Sequence, residues 1–208
     1  ARPPIVDSKG GIRKDPKDQD INMHKIAAMA RSRQPGLLIV DRTVGGKYEN
    51  YQTPEQHVPE RPLDYVWETC MTMGESWSFK LDDRYKSAHE LVHLLVEIAA
   101  KGGNFLLNIG PDSKGEFPKE AYDRLEKVGD WMKINSEAIY STRPVAPFKE
   151  TKVCFTQGKD GTIYAVYLAD ADEVCPPSKI LLHSICPDEG GDISMLGVKE
   201  PVKWENVG

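Results

Sequence analysis

No stretch of this chain approaches the ~18 consecutive apolar residues that a membrane-spanning helix needs, so no span is expected. Charge of one sign is not concentrated anywhere. The 27 Lys and Arg are interleaved with 32 Asp and Glu, for a net charge of −5. That distribution holds no basic patch for nucleic acid. Cysteine is scarce, at four residues (Cys70, Cys154, Cys175 and Cys186), and no CxxC spacing occurs, which argues against a zinc site. Three of the four fall in the last third, where a disulfide and free buried thiols both stay open. The G-x-S-x-G elbow of serine hydrolases is missing. His89 and His93 stand at i, i+4, a spacing that can bind metal on a helix, but a solvated or half-buried pair is expected instead. The reading calls for no cofactor and no metal ion. No signal peptide is visible at Ala1, and there is no internal repeat.

What is present is ordinary globular composition. With 39% hydrophobic and 28% charged residues in a 208-residue chain, a sizeable core is expected in one or two domains. Residues 1–19 have loop composition. Asp20 is placed to cap a helix over 21–33, with Ile21, Ile26, Met29 and Ala30 as its buried stripe. Pro35-Gly36 stops it and a strand over 37–41 follows, the αβ half of a βαβ unit. A polar, aromatic loop over 48–57 leads to a second buried strand at 63–69. Ser87 and Glu90 form an S-x-x-E capping box for a helix whose apolar face is Leu91, Leu94, Leu95, Ile98 and Ala99. Gly102-Gly103 follows that helix, so it reads as a C-cap turn rather than a phosphate loop. The apolar run at 104–110 suits a parallel strand buried on both faces. Pro118 is placed in the first turn of a helix running to about 138, with Ala121, Leu125, Val128 and Met132 inward.

From residue 142 the pattern changes. Pro144 and Pro147 break the chain, and runs at 153–156 and 162–168 flank Gly158-Lys159-Asp160-Gly161, a hairpin signal. Further strands are expected at 179–183 and 192–197. The αβ alternation predicts a parallel sheet or barrel, yet about three strands cannot close a barrel of eight. The expected class is therefore α/β. Residues 1–143 read as the second half of a (β/α)8-like (TIM) barrel, and 144–208 as the start of an antiparallel β-sandwich. Open strand edges would then pair with a missing N-terminal barrel half or drive self-association.

Five ordered motifs carry a resemblance. They are Gln34-Pro35-Gly36-Leu37-Leu38-Ile39-Val40-Asp41-Arg42, then Tyr48-Glu49-Asn50-Tyr51-Gln52-Thr53-Pro54-Glu55-Gln56, then Trp67-Glu68-Thr69-Cys70-Met71-Thr72. After these come Lys101-Gly102-Gly103-Asn104-Phe105-Leu106-Leu107-Asn108-Ile109-Gly110-Pro111 and Ala138-Ile139-Tyr140-Ser141-Thr142-Arg143-Pro144. Together they resemble the α-L-fucosidases of glycoside hydrolase family 29. The resemblance implies a distorted (β/α) barrel followed by a β-sandwich, and retaining hydrolysis of terminal α-L-fucose from glycans. That chemistry uses two carboxyl groups about 5 Å apart, a nucleophile and an acid/base. The family's acid/base falls on Glu55, its sugar-binding arginine on Arg42, and the aromatic against the fucose methyl on Trp77. Family members are secreted, periplasmic or lysosomal.

Each assignment has a plainer counterpart. A loop glutamate is usually a solvated charge, Arg42 can pair with Asp41, Glu49 or Glu68, and Trp77 can be core. Glu68 is expected to be a barrel-interior residue bonded to Arg42 rather than a second active-site acid. The family's nucleophile, an aspartate in a Trp-x-Asp-Gly strand end, has no match in residues 1–20. It is expected upstream of Ala1. The alternative is a non-catalytic glycan-binding or structural fragment.

Overall fold

The computed structural model describes residues 22–40, 47–188 and 191–207. Helix α1 (Met23–Arg33) is capped by Asn22, whose side chain accepts from the Lys25 amide at 3.2 Å. The expected cap, Asp20, lies outside the described residues, as does Ile21. Arg31 and Arg33 in the last turn complement the helix dipole. The anticipated apolar stripe is not buried: Ile26 and Met29 are mostly exposed, and only Ala27 is fully covered. Polar bonds hold α1 instead. Arg31 donates to the Tyr48 carbonyl and to Asn50 Oδ1, and Asn50 Oδ1 also accepts from the Ile39 amide.

The parallel layer has two named strands, β1 (Trp67–Thr72) and β2 (Gly103–Asn108), in register from Trp67↔Gly103 to Thr72↔Asn108. β1 starts four residues later than the strand expected at 63–69. Val66 is 60% exposed, while Trp67, Thr69 and Met71 are buried. Two more extended segments join the layer through single parallel bridges, Val40↔Tyr51, Gln52↔Trp67 and Glu55↔Cys70. Residues 37–40 therefore form one bridge rather than a strand, and the expected loop at 48–57 is itself a parallel rung beside β1.

Helix α2 (Ala88–Ala100) follows β1 and carries the capping box: Ser87 Oγ accepts from Glu90 N, and Glu90 accepts from Ser87 N at 2.7 Å. These bonds hold the Glu90 carboxyl below the usual carboxylate range, chiefly through the Ser87 backbone. Gly102 turns the chain at φ +79 and donates to the Ala99 carbonyl, the cap predicted from sequence. α2 is buried on two sides. Leu91 packs with Met73 and Ala121, while Val96 and Ala100 pack with Cys154 and Leu168. Leu94, Leu95 and Ala99 are only half-buried. β2 is covered on one face alone: Phe105 and Leu107 face the helices, and Leu106 is 50% exposed. Helix α3 (Lys119–Asn135) has Pro118 as its N-cap, not its first helical residue, and ends in a 3₁₀ turn at Ser136–Ala138. Of its expected inner face, Ala121 is fully buried, Val128 and Met132 are half-buried, and Leu125 is 37% exposed.

An antiparallel sheet follows, in the order β3 (Arg143–Glu150), β4 (Val153–Gln157), β5 (Ile163–Tyr167). Pro144 and Pro147 lie within β3. Pairing holds at Arg143 and Pro144, lapses, and resumes at Lys149, so Pro147 falls where no ladder amide is required. Gly158 and Gly161 close the β4–β5 hairpin as expected, with Gly161 at φ +90. β4 is the centre of this layer. Phe155 is fully buried, and the Thr156 hydroxyl donates to the Ala138 carbonyl at 2.7 Å. The strands expected at 179–183 and 192–197 do not form. Leu181 is 57% exposed there, and the chain is held by Glu150 accepting from the His183 and Ser184 amides. All four cysteines are free thiols, Cys70 and Cys154 buried, Cys175 and Cys186 exposed. Burial pushes the Cys154 thiol up to about 11.

The segment His89-Glu90-Leu91-Val92-His93 matches the H-E-x-x-H pattern of zinc hydrolases. The structure dissolves it. Glu90 is occupied by the capping box, and His89 Nε2 bonds the Ala169 carbonyl at 2.7 Å. The two rings are in contact, with centroids 3.9 Å apart and planes tilted by 42°. Among the described residues no cluster of three metal-ligating side chains occurs. Burial first, then the charge of His89, lowers His93 below its ordinary 6.5; Lys149 adds to this, while Glu97 and Asp170 oppose it. The unfolded chain then binds a proton that the folded chain refuses. This stability is fully present above pH ~6.5 and is lost as pH falls from there toward the lower folded value. The thermal midpoint should fall between about pH 7.5 and 5.5, and His93→Gln should flatten that limb. An unchanged slope in the variant would assign the loss to other groups.

Candidate active site

Alternation along β1 divides the parallel layer into two faces. Thr69 and Met71 stand opposite Phe105 and Leu107, on the side that packs against the helices. Glu68, Cys70 and Thr72 stand on the other side, opposite Asn104, Leu106 and Asn108. This second face is covered at Cys70 and Thr72 and more open around Glu68 and the β2 residues. Asn104 is exposed, Leu106 is half exposed, and Glu68 and Asn108 are half-buried. Glu55 is bridged to Cys70 and therefore belongs to it.

The Glu55 backbone is pinned on both flanks. The Cys70 amide donates to the Pro54 carbonyl at 3.2 Å, and the Gln56 amide donates to the Cys70 carbonyl at 2.9 Å. The Glu55 side chain is exposed at the carboxyl end of its rung. The next residue, Gln56, takes φ +53. A non-glycine residue pays roughly 1–2 kcal/mol in that left-handed region, so other contacts must hold it. They do: Gln56 Nε2 donates to Thr72 Oγ1 at 2.9 Å, and Gln56 Oε1 accepts from the Thr72 amide at 3.4 Å. The Thr72 hydroxyl passes its own hydrogen to the Gly74 carbonyl, and Lys86 Nζ donates to the Thr72 carbonyl at 2.7 Å. Gln56, Thr72, Gly74, Glu75, Arg84, Tyr85, Lys86 and Glu90 line an open polar cleft of about 560 Å³ at this edge.

Trp77 sits on the loop over residues 73–87 that follows β1. Asp83 shapes this loop. Its side chain is 4% exposed, and Oδ1 accepts from the Glu75 and Arg84 amides, each at 3.0 Å. The loop is seated on the end of the next strand. A Cβ on Gly110 would come within 2.3 Å of the Phe79 nitrogen, so only glycine admits this approach. Trp77 is 42% exposed among the described residues. Asn108 Oδ1, at the end of β2, is buried and has no hydrogen-bond partner among the described residues. A buried acceptor of that kind favours a donor brought to it.

The layer thus brings Glu55 and the Trp77 loop to the carboxyl edge of adjacent parallel segments. Arg42 lies outside the described residues, and so does any pairing of Glu68 with it. Gln56, Thr72 and Lys86 were not singled out from sequence. The one signal was the place of Gln56 beside Glu55.

Comparison with known proteins is consistent in direction. The alpha-L-fucosidase family model matches residues 2–137. Mouse tissue alpha-L-fucosidase is 33% identical over 166 residues, 76% of this chain and 35% of that protein. The human tissue enzyme is 32% identical over 161 residues, 74% of this chain and 34% of that protein. The chain spans about a third of the length of these curated relatives. Among solved structures, alpha-L-fucosidase isoenzyme 1 from Paenibacillus thiaminolyticus is 34% identical, with a TM-score of 0.62 over 64% of this chain and 35% of that one. Thermotoga maritima alpha-fucosidase is 25% identical, with a TM-score of 0.72 over 90% of this chain and 43% of that one.

Proposed function

The chain belongs to the alpha-L-fucosidase family, and from that premise we propose that it forms part of a retaining exo-α-L-fucosidase acting on fucosylated glycans. In this reading residues 1–143 are the second half of a (β/α)8-like barrel and 144–208 open a β-sandwich. Glu55 is the acid/base, protonating the leaving oxygen and then deprotonating the attacking water. Trp77 covers the apolar side of the sugar, and Arg42 binds its hydroxyls. The nucleophile comes from a part of the barrel outside this sequence. The observation that carries the reading is the position of Glu55, pinned at the carboxyl end of a parallel segment on the face turned away from the helices. In α/β barrels that edge is where chemistry is done.

The half-exposed Leu106 on the outer face of β2 supports packing of a further segment over that face, from the rest of the barrel or from a second copy. The test is hydrolysis of an aryl α-L-fucoside by the full-length protein, with the first-released sugar followed by proton NMR. The α-anomer is expected first. Release of the β-anomer would overturn the retaining assignment. Fucose binding without turnover would leave only the glycan-binding reading.

A further inference from the structure

We propose that Gln56 is a positioning residue for Glu55, and that its side-chain clamp on Thr72 sets the placement of the acid/base carboxyl. The inference rests on the reading of Glu55 given above. Glu55 itself is exposed and sits on a rung joined to β1 by single bridges rather than a continuous ladder. Such a rung does not by itself hold a carboxyl to the half-ångström that proton transfer in a transition state requires. The peptide after Glu55 is held differently. The Gln56 amide is tied to the Cys70 carbonyl, its φ is +53, and both ends of its carboxamide bond to one residue, Thr72.

Thr72 is a rigid anchor. It is 2% exposed, ends β1, pairs with Asn108 of β2, and receives Lys86 Nζ on its carbonyl. Its hydroxyl is fully used, accepting from Gln56 and donating to Gly74. The chain stays tied to β1 through this turn, since the Thr69 hydroxyl donates to the His57 carbonyl at 2.8 Å. Without the clamp, the Gln56 amide bond to Cys70 and the Thr69 bond to the His57 carbonyl are left to hold that strained conformation. The rung would relax toward ordinary extended backbone, and the Glu55 carboxyl would move with it.

The test uses the full-length enzyme with two substrate types, an activated aryl fucoside that needs little protonation and a fucosyl alcohol that needs it fully. Gln56→Gly tolerates the positive φ without enforcing it and removes the clamp; Thr72→Val removes the hydroxyl that receives it. Each should lower kcat/KM for the poor leaving group roughly ten- to hundredfold while sparing the activated one, since a misplacement of about 1 Å costs up to that much. The two losses should not add in the double variant. Thr72→Ser, which keeps the hydroxyl, should restore near-normal rates. The ratio between substrates does not depend on how much protein is folded, so general destabilisation cannot mimic the result. Equal losses on both substrates, or none, would overturn the proposal and leave Glu55 in its role. A Glu55→Ala variant that lacks the leaving-group dependence would remove that role, and the positioning role with it.

Discussion

Glu55→Ala in the full-length enzyme should slow hydrolysis of fucosides with poor leaving groups by about 10²- to 10⁴-fold, the usual worth of general acid catalysis. That range corresponds to roughly 2.7–5.4 kcal/mol of transition-state stabilisation. The loss should be graded. A leaving group that departs readily as an anion needs little protonation, so activated aryl fucosides should keep more of their rate in the first step. The second step, attack of water on the fucosyl-enzyme, would still lack its base and should become rate-limiting. The rung should stay in place, because it is held by backbone bonds to Cys70. A rate within a few-fold of the parent would take Glu55 out of the role. The next carboxyl to examine would be Glu68, two residues before Cys70 and on the same face.

Much of the architecture was legible because it is local. The Ser87–Glu90 box, the Gly102 cap and the Gly158–Gly161 hairpin each need only neighbours in sequence, and each forms. The parallel layer was less so. Residues 50–56 are polar and contain Pro54, so neither alternation nor a continuous apolar run marks them. Their extension is set by bridges to β1, whose own register is fixed by burial of Trp67 and by β2. Leu63, Tyr65 and Val66 extend the expected strand four places ahead of the point where burial begins at Trp67. Thr69 and Thr72, polar in sequence, are fully buried because the His57 carbonyl and the Gln56 carboxamide satisfy them. The stripe of α1 and the outer face of β2 failed as burial predictions, since periodicity states which residues share a face and not whether that face is covered. At the site, Glu55 lies within a family motif, and Trp77 is placed by the resemblance outside the five ordered motifs. The Gln56–Thr72 clamp was hidden because it depends on one positive φ and a contact across sixteen residues.

Trp67→Ala should be the most destabilising substitution in the parallel layer, costing about 3–5 kcal/mol. Domains of this kind have only ~5–15 kcal/mol in total. The indole is fully buried, lies across Gly103, and donates from Nε1 to the Lys101 carbonyl. Its removal opens a cavity at the start of β1, where the rung carrying Glu55 is also bonded: Gln52 donates to the Val66 carbonyl and accepts from the Glu68 amide. The urea midpoint should therefore fall with little change in m, and activity should fall with it. Gly103 supplies the check. A Cβ there would stand 2.4 Å from the Trp67 ring, so Gly103→Ala alone should also destabilise strongly. In the Trp67→Ala background the same methyl would enter space left by the indole. The double variant should then be more stable than the sum of the two single losses implies, by a coupling of about 1–3 kcal/mol. Strict additivity would mean that the ring and the glycine do not share that space, and that the register of β1 against β2 is set elsewhere.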